Sequence, residues 1–109
     1  MQTCVVRPVL PKKVNDIDFN EFTKLSEALP DIKIVFDFSI NLKKIYSGTF
    51  LGSGKITSLK KIIFNNKVKL LLIDFELSAI QQRNLEKELN IKILDRTGLI
   101  LEIFSARAL

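Results

Sequence analysis

The sequence predicts an α/β fold, a four-stranded parallel sheet with helices on both faces that makes half of a doubly wound fold. Three observations carry this. Strand-like and helix-like patterns alternate in the order β-α-β-α-β-α-β-α with short connections, which gives a parallel sheet covered on both sides. The run Val68-Lys69-Leu70-Leu71-Leu72-Ile73 is almost continuously apolar, as a strand buried on both faces must be. Two of the helices open on capping boxes, Asp18 with Glu21 and Ser78 with Gln81. Right-handed crossovers leave few topologies, and the favoured strand order is 2-1-3-4.

Each element has its own signal. Thr3 to Leu10 is rich in valine and predicts the first strand, which Pro8 either ends early or places near an edge. Lys12 to Asp16 reads as a loop. The first helix follows Asp18, with Ile17 and Phe22 at the two positions of a hydrophobic staple. Its apolar stripe is Phe19, Phe22, Leu25 and Leu29, and Pro30 ends it. Ile32 to Phe38 predicts the second strand. Gly52-Ser53-Gly54 opens the second helix, which carries Ile56, Leu59, Ile62 and Ile63 on one side until Asn65-Asn66 stops it. Val68 to Asp74 is the third strand. Leu77 to Leu89 is the third helix, with Ile80, Leu85 and Leu89 facing inward and Asn90 as its C-cap. Ile91 to Leu94 is the fourth strand, and Thr97 to Ala108 the fourth helix.

Composition narrows the functional classes. A chain of 109 residues, 47% apolar and 27% charged, is one globular domain. It buries about two-thirds of its unfolded surface. No apolar run is long enough for a membrane span. The start, MQTCVVRPVLPKK, is no signal peptide, because Arg7, Pro8 and Pro11 interrupt any apolar core. The single Cys4 reads as a small core hydrophobe and suits a reducing compartment, which places the protein in the cytoplasm. One cysteine and no histidine argue against zinc or another soft metal.

The net charge of +5 is unevenly spread. From Phe38 to Ile73 there is no acid, and this window carries Lys43, Lys44, Lys55, Lys60, Lys61, Lys67 and Lys69. A solvated lysine face is one reading. The other is an electrostatic footprint for a phosphate-rich partner. The only aromatics in the window's centre are Tyr46, Phe50 and Phe64. So few disfavour a platform for stacking successive bases and leave shape and phosphate contacts with structured RNA.

Three ordered motifs then carry a resemblance. Thr49-Phe50-Leu51-Gly52-Ser53-Gly54-Lys55 fits a T-[YF]-[IL]-G-x-G-K element. Asp74-Phe75-Glu76-Leu77-Ser78 leads into Gln81, Arg83, Asn84, Leu85 and Glu86, a D-x-E-L-S-x-x-Q-x-R-N-L-E block. Asp95-Arg96-Thr97 opens a D-R-T-x-L-I-L-x-I-F-x-x-R-A segment. In this order they resemble the N-terminal domain of HflX, a bacterial ribosome-associated GTPase family, closely from Thr49 to Ala108 and only as a pattern of elements before that. The resemblance implies a binding and regulatory module that helps its protein engage the large ribosomal subunit and positions a helical arm. It implies partners in ribosomal RNA and in the GTPase domain of a longer protein. GTP and magnesium are expected for that GTPase domain and no cofactor for this chain. The chain is expected to span 1–109 as this one domain, to end where the family's helical arm begins, and to be no enzyme by itself.

The residues themselves offer several candidate sites. Lys43, Lys44, Lys55, Lys60 and Lys61 are the candidates for RNA, by charge and placement. Gly52-Ser53-Gly54-Lys55 is no P-loop, since Thr49 stands where that motif needs glycine and Ile56 where it needs Ser or Thr. Backbone N–H groups at a helix start, with Lys55 beside them, still make a candidate anion site; ordinary loop geometry is the alternative. Asp37, Asp74 and Asp95 are placed near the carboxyl ends of strands. With Lys55 and Thr97 they suggest a stand-alone nucleotide-binding or magnesium-dependent phosphotransfer domain as the competing function. Against this, aspartates there serve turns and caps, and Asp95 suits the helix beginning near Thr97. A chain that folds without any function is a third reading. Gln81, Gln82, Arg83, Asn84, Glu86 and Lys87 form the expected outer face of the third helix, either solvated or on a partner. Arg96, Leu99, Ile103 and Arg107 are the candidates for interdomain contact. Leu99, Ile100, Leu101, Ile103 and Phe104 make the last helix apolar almost all round, which predicts a homodimer through it or a frayed terminus.

Overall fold

The computed structural model describes residues 1–11 and 19–107, with the side chains of residues 19 and 20 outside the description. Its elements are β1 (Gln2–Val9), α1 (Phe19–Ser26), β2 (Lys33–Asn41), α2 (Ser53–Asn65), β3 (Leu70–Ile73), α3 (Ala79–Leu89), β4 (Lys92–Leu94) and α4 (Arg96–Arg107). All strand pairs are parallel and the sheet order is β2-β1-β3-β4. The expected class and strand order are both present.

Alternation along the strands divides the core into two layers. Cys4 and Val6 of β1 and Leu71 and Ile73 of β3 face α2 and α3, meeting Ile56, Leu59, Ile63, Leu85 and Leu89. Val5, Leu70 and Leu72 face the other way, onto Phe22 of α1 and Leu99 and Ile103 of α4. Every residue of β3 is buried, which is why its sequence shows no polar alternation.

Several sequence expectations change. Pro8 does not mark an edge, because β1 is a central strand. Val6 O accepts Asp74 N–H on the β3 side, and Val9 O accepts Leu42 N–H on the β2 side. By that alternation the nitrogen of Pro8 faces the β3 side past Ile73, where β3 has ended, so no ladder bond is lost. Strand β2 runs three residues beyond Phe38, which moves Asp37 from a strand end to mid-strand. Leu25 and Ile80 are exposed rather than inward. Ser78 and Gln81 form the reciprocal capping box, and Asn90 is the left-handed C-cap at φ 55°. The Asp18 cap, Ile17, the loop from Lys12 to Asp16 and Ala108 lie outside the described residues.

Candidate functional site

The carboxyl edge of the sheet is where the three sequence motifs meet. After β2 the chain makes a tight reversal in which Tyr46 and Phe50 exchange backbone hydrogen bonds of 3.0 and 2.9 Å. Phe50 sits at φ 65°, an unfavourable backbone for an aromatic residue, yet its side chain is 0% exposed. Its ring packs on Phe75 with centroids 5.0 Å apart. On the same Phe75 ring lies the Arg96 guanidinium, 5.9 Å from the centroid. Arg96 Nε donates to Asp74 at 2.6 Å. Thr97 Oγ1 donates to Glu76, and Asp95 accepts Leu77 N–H at 3.0 Å and Gly98 N–H at 2.8 Å. A Cβ on Gly98 would come within 3.1 Å of the Asp95 carboxylate, so glycine allows this cap to close.

The polar residues of α3 act differently from the outer face expected of them. Gln81 Nε2 donates to Tyr46 O at 2.8 Å, and Asn84 Nδ2 to Gly48 O at 2.8 Å. Gln82 Nε2 reaches Ile93 O, and Glu86 accepts Ile93 N–H. These side chains satisfy backbone groups of the 46–50 reversal and of β4; Arg83 and Lys87 are the members of the set that face solvent. The sequence carried a partial signal, because the Ser78 capping box already ties Gln81 to the helix start.

The three aspartates are each engaged separately. Asp37 pairs with Arg7 and accepts from Thr23 at 2.9 Å, with β1 lying between it and β3. Asp74 holds Arg96, and Asp95 caps α4. The gathering of Asp37, Asp74 and Asp95 with Lys55 and Thr97 that the competing phosphotransfer reading needs is absent, because the longer β2 carries Asp37 away from the strand ends. Among the described residues no group of three or more acids, cysteines or histidines is placed to hold a metal ion.

What the edge does gather is positive charge. A cleft of about 500 Å³ is lined by Lys43, Lys44, Tyr46, Ser58 and the Gly52–Lys55 segment, with no carboxylate among the described residues lining it. Gly52 is the N-cap of α2 and supplies no side-chain acceptor, so the first N–H groups of the helix open towards the cleft uncapped. Lys44 Nζ lies 4.7 Å from the Tyr46 ring centroid. A Cβ on Gly52 would stand 3.1 Å from that ring, so glycine is what lets Tyr46 line the wall. Lys60 and Lys61 are further along α2, and Lys60 faces Glu88 at 3.4 Å. The structure therefore brings together three of the five candidate lysines, along with the whole candidate anion segment.

Of the interdomain candidates, Leu99 is 0% exposed and Ile103 is buried against this chain's own sheet. The side of the helix that carries both, four residues apart, is packed on the sheet and is not an outward contact face. Ile100, Leu101 and Phe104 are the exposed apolar side chains, and Arg107 is exposed beyond them.

Comparison with known proteins identifies the family and the fold. The family model described as GTP-binding GTPase N-terminal matches residues 16–105. The chain belongs to this family, as an HflX N-terminal domain. It is 48% identical over 69 residues to the GTPase HflX of Magnetococcus marinus, covering 63% of this chain and 16% of that protein. It is 36% identical over 99 residues to the GTPase HflX of Flavobacterium psychrophilum, covering 91% of this chain and 22% of that protein. The HflX domain described here thus spans about a fifth of the length of these relatives. A GTP-binding protein of Sulfolobus solfataricus, solved in complex with GDP, superposes with a TM-score of 0.73 at 22% identity, over 99% of this chain and 32% of that one. That likeness shows the shared fold. No helix of the HflX domain among the described residues is long and apolar enough to cross a membrane.

Proposed function

We propose that this domain is the binding and regulatory module of an HflX-like GTP-binding protein in the cytoplasm, engaging the large ribosomal subunit through RNA and its own GTPase domain through α4. The observation that carries the reading is the acid-free cleft. Lys43, Lys44 and Lys55 line it beside an uncapped helix start, so mobile charges and fixed backbone donors border one cleft. Lysines suit this task as point charges on flexible stems that follow an RNA backbone without reading its sequence. The family relatives are GTPases by name, and Gly52–Lys55 lacks the phosphate cradle of such enzymes. The domain itself is accordingly assigned binding and no turnover. The exposed Ile100, Leu101 and Phe104 supply the apolar patch for the GTPase domain, with Arg107 at its end.

Co-sedimentation with isolated large ribosomal subunits, beside a nucleotide titration, tests the reading. Binding should fall steeply with salt, because each lysine–phosphate contact releases a counterion. Lys43→Glu, Lys44→Glu and Lys55→Glu together should abolish it. Saturable nucleotide binding, lost in Lys55→Ala and unaccompanied by subunit binding, would favour the stand-alone nucleotide-binding domain instead.

A further inference from the structure

At the opposite end of α2 lies a second basic surface of a different kind. A groove of about 880 Å³ runs between the C-terminal ends of α2 and α3. Its floor is apolar, made by Ile63, Val68, Leu89 and Ile91. One wall is Phe64, which is 84% exposed, ahead of Phe104 at 70%. Lys60, Lys67 and Lys69 line the same groove. Lys60 has Glu88 beside it, while Lys67 and Lys69 form no ion pair among the described residues. Asn65, Asn90 and Glu88 complete the lining. The rise of α2 sets Phe64, nine residues on, roughly 14 Å along the helix axis from Lys55 of the lysine cleft.

From these features we propose that the groove receives an unpaired nucleotide of a structured RNA, its base stacked on Phe64 and its flanking phosphates held by Lys67 and Lys69. This rests on the RNA-binding reading above and adds a second contact to it. Three physical points favour a nucleotide. An exposed aromatic ring beside an apolar floor offers a surface on which a base can stack. Lys67 and Lys69 line the same groove as Phe64, which puts positive charge beside the phosphates that flank a base held there. Asn65 and Asn90 are in the lining, and an amide can both donate to and accept from a base edge, which an apolar peptide side chain would leave unused. The sequence offered too few aromatics for a platform binding successive bases, but one exposed ring suffices for one bulged base.

The test uses an RNA hairpin with a single-nucleotide bulge, with 2-aminopurine at the bulged position, and a fully paired hairpin as control. The wild-type chain should bind the bulged hairpin more tightly and quench the 2-aminopurine fluorescence. Phe64→Leu keeps an apolar side chain without the aromatic face; it should lower affinity for the bulged hairpin by about tenfold and remove the quenching. Lys67→Ala with Lys69→Ala should flatten the salt dependence of binding by about one to two units of slope. Both changes lie on exposed side chains, and circular dichroism should show the fold intact. Unquenched fluorescence, or equal binding by Phe64→Leu, overturns the proposal. Displacement of the bulged hairpin by an acidic, leucine-containing peptide that binds more tightly also overturns it, in favour of a protein partner. A chain that co-sediments with large subunits yet leaves the probe unquenched sinks this inference alone. One that quenches the probe without co-sedimenting sinks the ribosomal reading alone.

Discussion

Phe50 and Phe75 pack ring against ring at 5.0 Å and 48°, joining the loop after β2 to the loop after β3. Phe50 makes this contact from a left-handed backbone at φ 65°. Packing therefore holds a conformation that the isolated residue disfavours. Arg96 lies on the same Phe75 ring, so one stack links the three segments that mark the family.

Removing that stack should cost much of the domain's stability. Phe50→Ala is expected to destabilise by about 3–5 kcal/mol, a large part of the 5–15 kcal/mol typical of a whole domain. Urea unfolding followed by circular dichroism measures it. A loss below about 1 kcal/mol would mean that the loop repacks without its anchor.

The clamp from α3 onto the reversal is polar and can be tested by charge. Asn84→Ala removes one hydrogen bond to Gly48 O and should cost about 1 kcal/mol. Asn84→Asp puts an acceptor against that carbonyl and should cost more, about 1–3 kcal/mol. If the order of the two variants is reversed, Asn84 is not acting as the donor assigned to it.

Cys4 should be chemically silent in the folded chain. Burial first, and then the negative charge of Asp37, push its thiol from the ordinary 9.0 up to about 12. It should resist a thiol reagent such as DTNB at pH 8.5 until the chain unfolds. Between about 9 and 12 the folded thiol keeps a proton that the unfolded thiol loses. The unfolded state then binds fewer protons, so stability declines as pH rises through that window. Rapid labelling under native conditions would contradict the burial.

The uncovered side of α4 should make the isolated chain self-associate. Phe104 is 70% and Leu101 63% exposed, and burying one such side chain gains roughly 1.5–3 kcal/mol. Sedimentation equilibrium should show a concentration-dependent dimer that Leu101→Ser with Phe104→Ser returns to monomer. Leu99 and Ile103 remain to hold the helix on the sheet, so melting should be little changed. A wild-type chain that is monomeric at millimolar concentration would show that this face needs a different partner.

The sequence alone determined the element order, the parallel sheet and the strand order. Each of these follows from local signals, namely capping boxes, apolar period and the doubly buried Leu70–Ile73, together with the handedness of crossovers. It also marked Gly52–Lys55 as a helix start and Asp95 as a cap, since both are settled within a few residues. The tertiary structure decided the rest. The length of β2 depends on pairing with β1 along its whole run, and that length took Asp37 out of the proposed carboxylate site. Which sides of α4 and α3 are covered depends on where the sheet lies, so Leu99 and Ile103 turned inward while Ile80 and Phe104 turned out. Polar residues of α3 became backbone clamps because the 46–50 reversal, more than thirty residues away, presents carbonyls to them. The lysine window, continuous in sequence, was divided between the two ends of α2, because a helix carries residues nine apart to opposite edges of the sheet.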